Sequence, residues 1–121
     1  MLKIKISIPW KHLVSKNNKT ILLKGRRPAL TKEYREGKEE SHRIALEQYD
    51  GKPIEGSVNI VFRFFPPDKR RRDIFNYQEM LCDGIEGVVY VNDVQIDDGR
   101  VLRRKVSKTN PRVDITIREI E

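Results

Sequence analysis

SVNIVFRFFPPDKRRRDIFNYQEMLCDGIEG, residues 57–87, runs from an apolar strand through a proline stop and a cluster of cations into a helix, and the way these pieces join decides the fold. Val58, Ile60, Phe62 and Phe64 alternate with Asn59, Val61, Arg63 and Phe65. Successive side chains of a strand point to opposite faces, so a run apolar on one face and half apolar on the other predicts a strand lying centrally in a sheet. Pro66-Pro67-Asp68 ends it, because proline donates no ladder hydrogen bond. Over residues 74–85 the period becomes helical: Ile74, Tyr77, Leu81 and Ile85 share one stripe, and Phe75, Asn76, Glu79 and Asp83 lie on the opposite side. Glu86-Gly87 supplies the stop.

The same reading extends outward. Leu2, Ile4, Ile6 and Ile8 face one way and Lys3, Lys5 and Ser7 the other, a half-buried strand closed by Pro9. Residues 10–30 are irregular and basic, and within them only 20–23 could form a short strand; loops of that length are usually functional or mobile. Thr31 fits the N-cap of a helix running to about Tyr49, with Tyr34, Ala45, Leu46 and Tyr49 able to face a core, stopped by Asp50-Gly51 and Pro53. Residues 88–90 and 94–96 read as short strands flanking Asn92-Asp93, Asp97-Asp98-Gly99 as a turn, and 100–107 with 112–120 as a strand pair around 108–111. The expectation is one α+β domain over residues 1–121, a small mixed β-sheet packed with two helices. No internal repeat or low-complexity segment interrupts it.

Composition narrows the function. At 37% hydrophobic against 36% charged, the core of a 121-residue chain is thin, and pairing copies would bury surface that one leaves wet; a homo-oligomer is expected. Lys and Arg number 25 against 18 Asp and Glu, a net charge of +7, and the pI is near 9.7, the balance of a protein that meets a polyanion. The cations gather at Lys16, Lys19, Lys24, Arg26 and Arg27, at Lys69, Arg70, Arg71 and Arg72, and along residues 100–112. No apolar run approaches the roughly 18 residues of a membrane span, and the alternating N-terminus is unlike a signal peptide. A single cysteine, Cys82, excludes a disulfide framework and implies a reducing compartment; cytoplasmic, nucleoid-associated localisation is expected.

Asp73 joins the basic run to the helix. It reads either as an N-cap or as a carboxylate that binds a divalent cation, because Mg²⁺ at phosphodiesters uses one or two carboxylates plus water and phosphate oxygens. Asp93, 20 residues on, is the best second carboxylate, against the plainer reading of Asn92-Asp93 as a turn. His12 and His42 lack an i,i+4 partner and read as surface or satisfied histidines, and Cys82 has no neighbouring histidine to activate it. No Walker loop, GxGxxG or Ser-His-Asp arrangement is present.

With its basic run, Asp73, Asn76, the helix aspartate Asp83, and Asp93 followed by Gln95-Ile96, the chain resembles the RusA-type Holliday-junction resolvases. The likeness extends from the opening strand ending Ile8-Pro9-Trp10 to the closing basic strand, with Asn17-Asn18 similar to an early loop asparagine of that family. It implies a homodimeric, Mg²⁺-dependent endodeoxyribonuclease, with Mn²⁺ as a possible substitute, that hydrolyses phosphodiesters of four-way DNA junctions in recombination and repair. Asp73 and Asp93 would be catalytic metal ligands, and Lys16, Lys19, Arg26, Arg27, Lys69, Arg70, Arg71, Arg72 and Asn76 would meet DNA. Two positions depart: Phe75 stands where the family has a second metal-binding aspartate, and Glu79 where it has a lysine. Glu79, one helical turn beyond Phe75, is the candidate replacement ligand. The alternative is a weak or inactive relative that still binds junctions; a basic RNA-binding domain is a third, lacking paired stacking aromatics.

Overall fold

The alternation of residues 58–65 is realised as a strand. In the computed structural model, which describes residues 2–22, 25 and 27–120, strand β4, Val58–Phe65, lies between two neighbours. The other elements are β1 (Lys3–Pro9), β2 (Thr20–Ile21), β3 (Ala29–Leu30), α1 (Lys32–Gln48), α2 (Gln78–Ile85), β5 (Ile96–Arg103) and β6 (Arg112–Glu119). Four strands form a mixed sheet in the order β1-β6-β4-β5, with β1/β6 and β6/β4 antiparallel and β4/β5 parallel. β2 and β3 form a separate two-stranded ribbon. The α+β architecture of a small mixed sheet with two α-helices is thus as expected.

One face of the sheet is covered. Ile4, Ile6 and Ile8, the β4 set Val58, Ile60, Phe62 and Phe64, and Val113, Ile115 and Ile117 of β6 are all buried. They share one core with Tyr34, Ile44 and Ala45 of α1 and Met80, Leu81 and Ile85 of α2. The Thr31 hydroxyl accepts the Tyr34 N–H, the expected cap of α1. The two helices approach closely because Gly84 faces Ser41 and Gly37 faces Met80; a Cβ on Gly84 would come within 2.7 Å of Ser41 Cβ. Among the described residues no helix is long and apolar enough to cross a membrane.

Four expectations fail. Asp97-Asp98-Gly99, expected as a turn, lies within β5, where pairing with β4 holds it extended. Residues 88–90 make only isolated bridges from Tyr90 to Ile54 and Glu86, and Val94 sits in a 3₁₀ turn, Asp93–Gln95, in place of a strand. The turn wins because Asn92 and Gln95 form a reciprocal capping box. β5 and β6 are not a hairpin: each pairs with β4, from opposite sides. Their connection passes the end of β4, held by Arg104 N–H to the Phe64 carbonyl at 2.8 Å and Ser107 N–H to the Pro66 carbonyl at 2.9 Å. Finally, the helix expected over 74–85 is broken. Residues Ile74–Asn76 form a 3₁₀ turn and α2 begins at Gln78.

Candidate active site

Asp73 closes the break. One carboxylate oxygen, Oδ1, accepts the Phe75 N–H at 3.0 Å, and the Asp73 carbonyl accepts the Asn76 N–H at 3.2 Å, which tightens the chain into the 3₁₀ turn. The capping role is therefore real, and it leaves Oδ2 outside that bond. Phe75 projects outward, 57% exposed, and packs in no core. It occupies the position of an expected acid with a side chain that can neither hold a cation nor gain from burial.

Just before Asp73 the basic run divides. Arg72 is drawn into the fold: its guanidinium pairs with Asp68 at 2.7 Å, donates to the Asp68 and Arg70 carbonyls, and lies 5.5 Å from the centre of the Trp10 ring. Arg103 in turn donates to the Arg72 carbonyl. The Arg70 N–H and then the Arg72 side chain hold the Asp68 carboxyl below its ordinary range. Arg72 is consequently a brace for the loop, and Lys69, Arg70 and Arg71 are the cations left exposed. Lys16 and Arg27 are exposed as well, Asn76 is half-buried, and Arg26 lies outside the described residues.

A second cluster was not foreseen. Lys19, from the loop after β1, reaches Glu79 at 3.0 Å and lies 5.4 Å from the Tyr34 ring centre. The Tyr34 hydroxyl donates to Asp83 at 2.5 Å. Burial first, and then the Asp83 hydrogen bond, raise the Tyr34 hydroxyl pKa. The structure so brings together Lys19, Tyr34, Glu79 and Asp83 from three parts of the chain. This overturns the local geometry that would let Glu79 replace an acid at 75. With Phe75 in a 3₁₀ turn the two are not neighbours on one unbroken helix, and the Glu79 carboxylate is matched to an ammonium.

Asp93 is held differently. Its N–H donates to Glu86 Oε1 at 3.0 Å, while Gln95 Nε2 donates to the Ile54 and Gly56 carbonyls at 2.7 and 2.8 Å. Gln95 therefore fastens the Asp93 turn to the segment before β4. Asp93 contacts the residue after the C-terminal end of α2 and Asp73 precedes its start; the eight-residue helix between them is about 12 Å long. The plain turn reading of Asn92-Asp93 and a ligand role are compatible, since the carboxylate of Asp93 is exposed and in no ion pair among the described residues.

Among the described residues no three His, Cys, Asp or Glu groups gather to hold a metal ion. The described residues form no preformed three-carboxylate cage. Asp73 and Asp93 are each exposed and could each offer one carboxylate to the sparser coordination that Mg²⁺ accepts, in which water and substrate phosphate oxygens supply most ligands, but they lie toward opposite ends of α2. The histidines stay outside: the His42 ring bonds the Gly84 carbonyl at 2.8 Å, and burial lowers the His12 pKa. Burial also pushes the Cys82 thiol up to about 11, which suits an inert thiol.

No curated protein matches the chain. The family model described as "Endodeoxyribonuclease RusA" matches residues 3–118, nearly the whole chain and every element of the fold, including the basic loop, Asp73, α2 and the Asp93 turn. The chain belongs to the RusA family of endodeoxyribonucleases.

Proposed function

We propose that the protein is a structure-selective nuclease that binds four-way DNA junctions as a homodimer and hydrolyses a phosphodiester in each of two symmetry-related strands. The observation that carries this reading is the exposed run Lys69 to Arg71, separated only by Arg72 from the capping Asp73, within a chain of this family. Phosphates are held by Lys69, Arg70, Arg71, Lys16 and Arg27, which gives affinity with little sequence information. Arg72 and Asp68 keep the loop rigid so that its cations present one geometry. Mg²⁺, or Mn²⁺ in its place, would be held by Asp73 beside the basic run, with water and phosphate oxygens completing the shell and Asp93 joining only if DNA binding closes the length of α2 between them; the ion would supply the Lewis acidity that activates water and steadies the leaving oxygen. A two-fold dimer matches the approximate two-fold symmetry of a junction.

One observation favours a second reading, junction binding with weak or absent cleavage. Phe75 offers no ligand, and Glu79, paired with Lys19, cannot steady growing negative charge. Cleavage of a synthetic four-way junction in Mg²⁺ and in Mn²⁺, comparing the parent chain with Asp93→Asn and Asp73→Asn, separates the two. Cleavage abolished by either substitution with binding retained is the expected result. Tight junction binding without cleavage in either metal establishes the second reading.

A further inference from the structure

The helices cover one face of the sheet, and the other carries five cations that are in no ion pair among the described residues. Lys3 and Lys5 of β1, Arg118 of β6, Arg63 of β4 and Arg100 of β5 line a depression of about 450 Å³ on this reverse face. Register places them side by side: Lys3 lies opposite Arg118, and Thr116 and Val61 lie between Lys5 and Arg100. Every carboxylate in the seven ion pairs of the described residues is engaged elsewhere; none of these five cations has one. The only side-chain partner among them is neutral, Arg63 to Thr116 Oγ1 at 3.2 Å. Like charges directly opposed across strands destabilise a sheet. Their crowding registers on Lys3, whose pKa is lowered chiefly by Arg118, then by burial, Lys5 and Arg63.

We propose that this reverse face is a second DNA surface, which holds the phosphodiester backbone of a duplex segment on the side of the sheet away from α2 and Asp73. The inference rests on the DNA-binding reading above. Four strands about 4.8 Å apart spread the cations over roughly 14 Å, with about 6.7 Å between same-face residues along a strand. A duplex carries one charge per roughly 1.7 Å of its axis, so a segment of that length presents several phosphates to the depression. No carboxylate lines the depression itself; those that border it on the same face are already engaged, Asp98 accepting from Asn59 at 2.9 Å and Asp114 from Ser7 and Arg112.

The experiment measures binding of a blunt 30-base-pair duplex by fluorescence anisotropy, in EDTA and over a range of salt. Lys3, Arg100 and Arg118 are exposed, and their joint change to Gln removes like-charge repulsion, so circular dichroism should show an unaltered fold. The expected result is weaker binding and a salt slope shallower by about 0.9 per cation removed, about 2.7 in all. Arg100→Gln alone should remove about a third of that. Unchanged affinity and slope in both variants overturn the inference. Loss on Arg70→Gln/Arg71→Gln without loss on the sheet variants would do so while leaving the DNA-binding reading intact. If the parent chain binds neither duplex nor junction, both readings fall; binding only to vesicles rich in phosphatidylserine would reassign the face to a lipid surface.

Discussion

At the scale of single residues, the site turns on what Glu79 and Asp83 already do. Restoring the family pattern by Phe75→Asp and Glu79→Lys supplies a carboxylate and a cation, and should raise junction cleavage if these departures are what weakens it. The same change sets a second ammonium beside Lys19, 3.0 Å from the present carboxylate. An exposed pair of this kind is worth about 1 kcal/mol or less, and reversal should cost a similar amount. Adding Lys19→Glu should recover it in urea melts; a triple variant no more stable than the double would show the pair to be incidental. Tyr34→Phe is the sharper test. It leaves Asp83 without its donor, and hydrogen bonds to charged groups contribute about 1.5–3 kcal/mol, so unfolding free energy should fall by that order. Asp73 and the basic run were legible from the sequence because cap, helix and charge are local signals. Lys19–Glu79 and Tyr34–Asp83 were not, because partners 60 and 49 residues apart meet only through the packing of α1 on α2 and the folding of the loop.

At the scale of elements, the helix pair depends on absent side chains. A Cβ on Gly84 meets Ser41 Cβ at 2.7 Å and the Lys38 carbonyl at 3.2 Å, and backbone cannot yield as a flexible tip can. Gly84→Ala should therefore destabilise by about 1–3 kcal/mol by forcing α1 and α2 apart, despite the better helix propensity of alanine. Adding Ser41→Gly should recover part of the loss; no recovery would place the strain elsewhere. The outer edge of β1 has its own device. Gln48, at the end of α1, accepts the Ser7 N–H at 2.7 Å and donates to the Ser7 carbonyl at 2.8 Å, standing where a further strand would pair. Gln48→Ala should expose that edge and increase self-association, read by light scattering; unchanged scattering would mean that Lys3 and Lys5 protect it alone. Individual strands were readable because side-chain alternation is local. Strand order was not. The turn residues between 103 and 112 look like a hairpin, whereas the backbone bonds of Arg104 and Ser107 carry the chain across β4. Turn chemistry states that a chain bends and leaves open which strand it rejoins.

At the scale of the molecule, one core supports two chemically different outsides, a mixed helix layer with the candidate site and a basic reverse sheet, and the core's own titratable groups limit the pH range in which either persists. Cys82, Tyr34 and Tyr90 are all shifted upward, each first by burial. A raised pKa means that the folded state favours the neutral form. The stability this contributes is fully present below the unfolded values, about 9 for the thiol and about 10 for the tyrosines, and is lost as pH rises toward the folded ones. Cys82 acts first: its folded value of about 11 places the loss between pH 9 and 11, of order 1–3 kcal/mol. The tyrosines add a steeper decline above pH 10. Asp68 acts at the other end with opposite sign, its contribution present above its ordinary range and lost in acid. Urea unfolding should therefore show a plateau through neutral pH and a fall beginning near pH 9, and Cys82→Ala should move the onset toward pH 10. Native Cys82 should also resist iodoacetamide at pH 8, where about one thiol in a thousand is ionised. Rapid alkylation under native conditions, or a fall that starts no earlier in the parent chain than in Cys82→Ala, would mean that α2 opens to solvent far below the global unfolding free energy; the Asp93 turn, bonded to Glu86 at the end of that helix, would then lack the rigid base that the proposed chemistry requires.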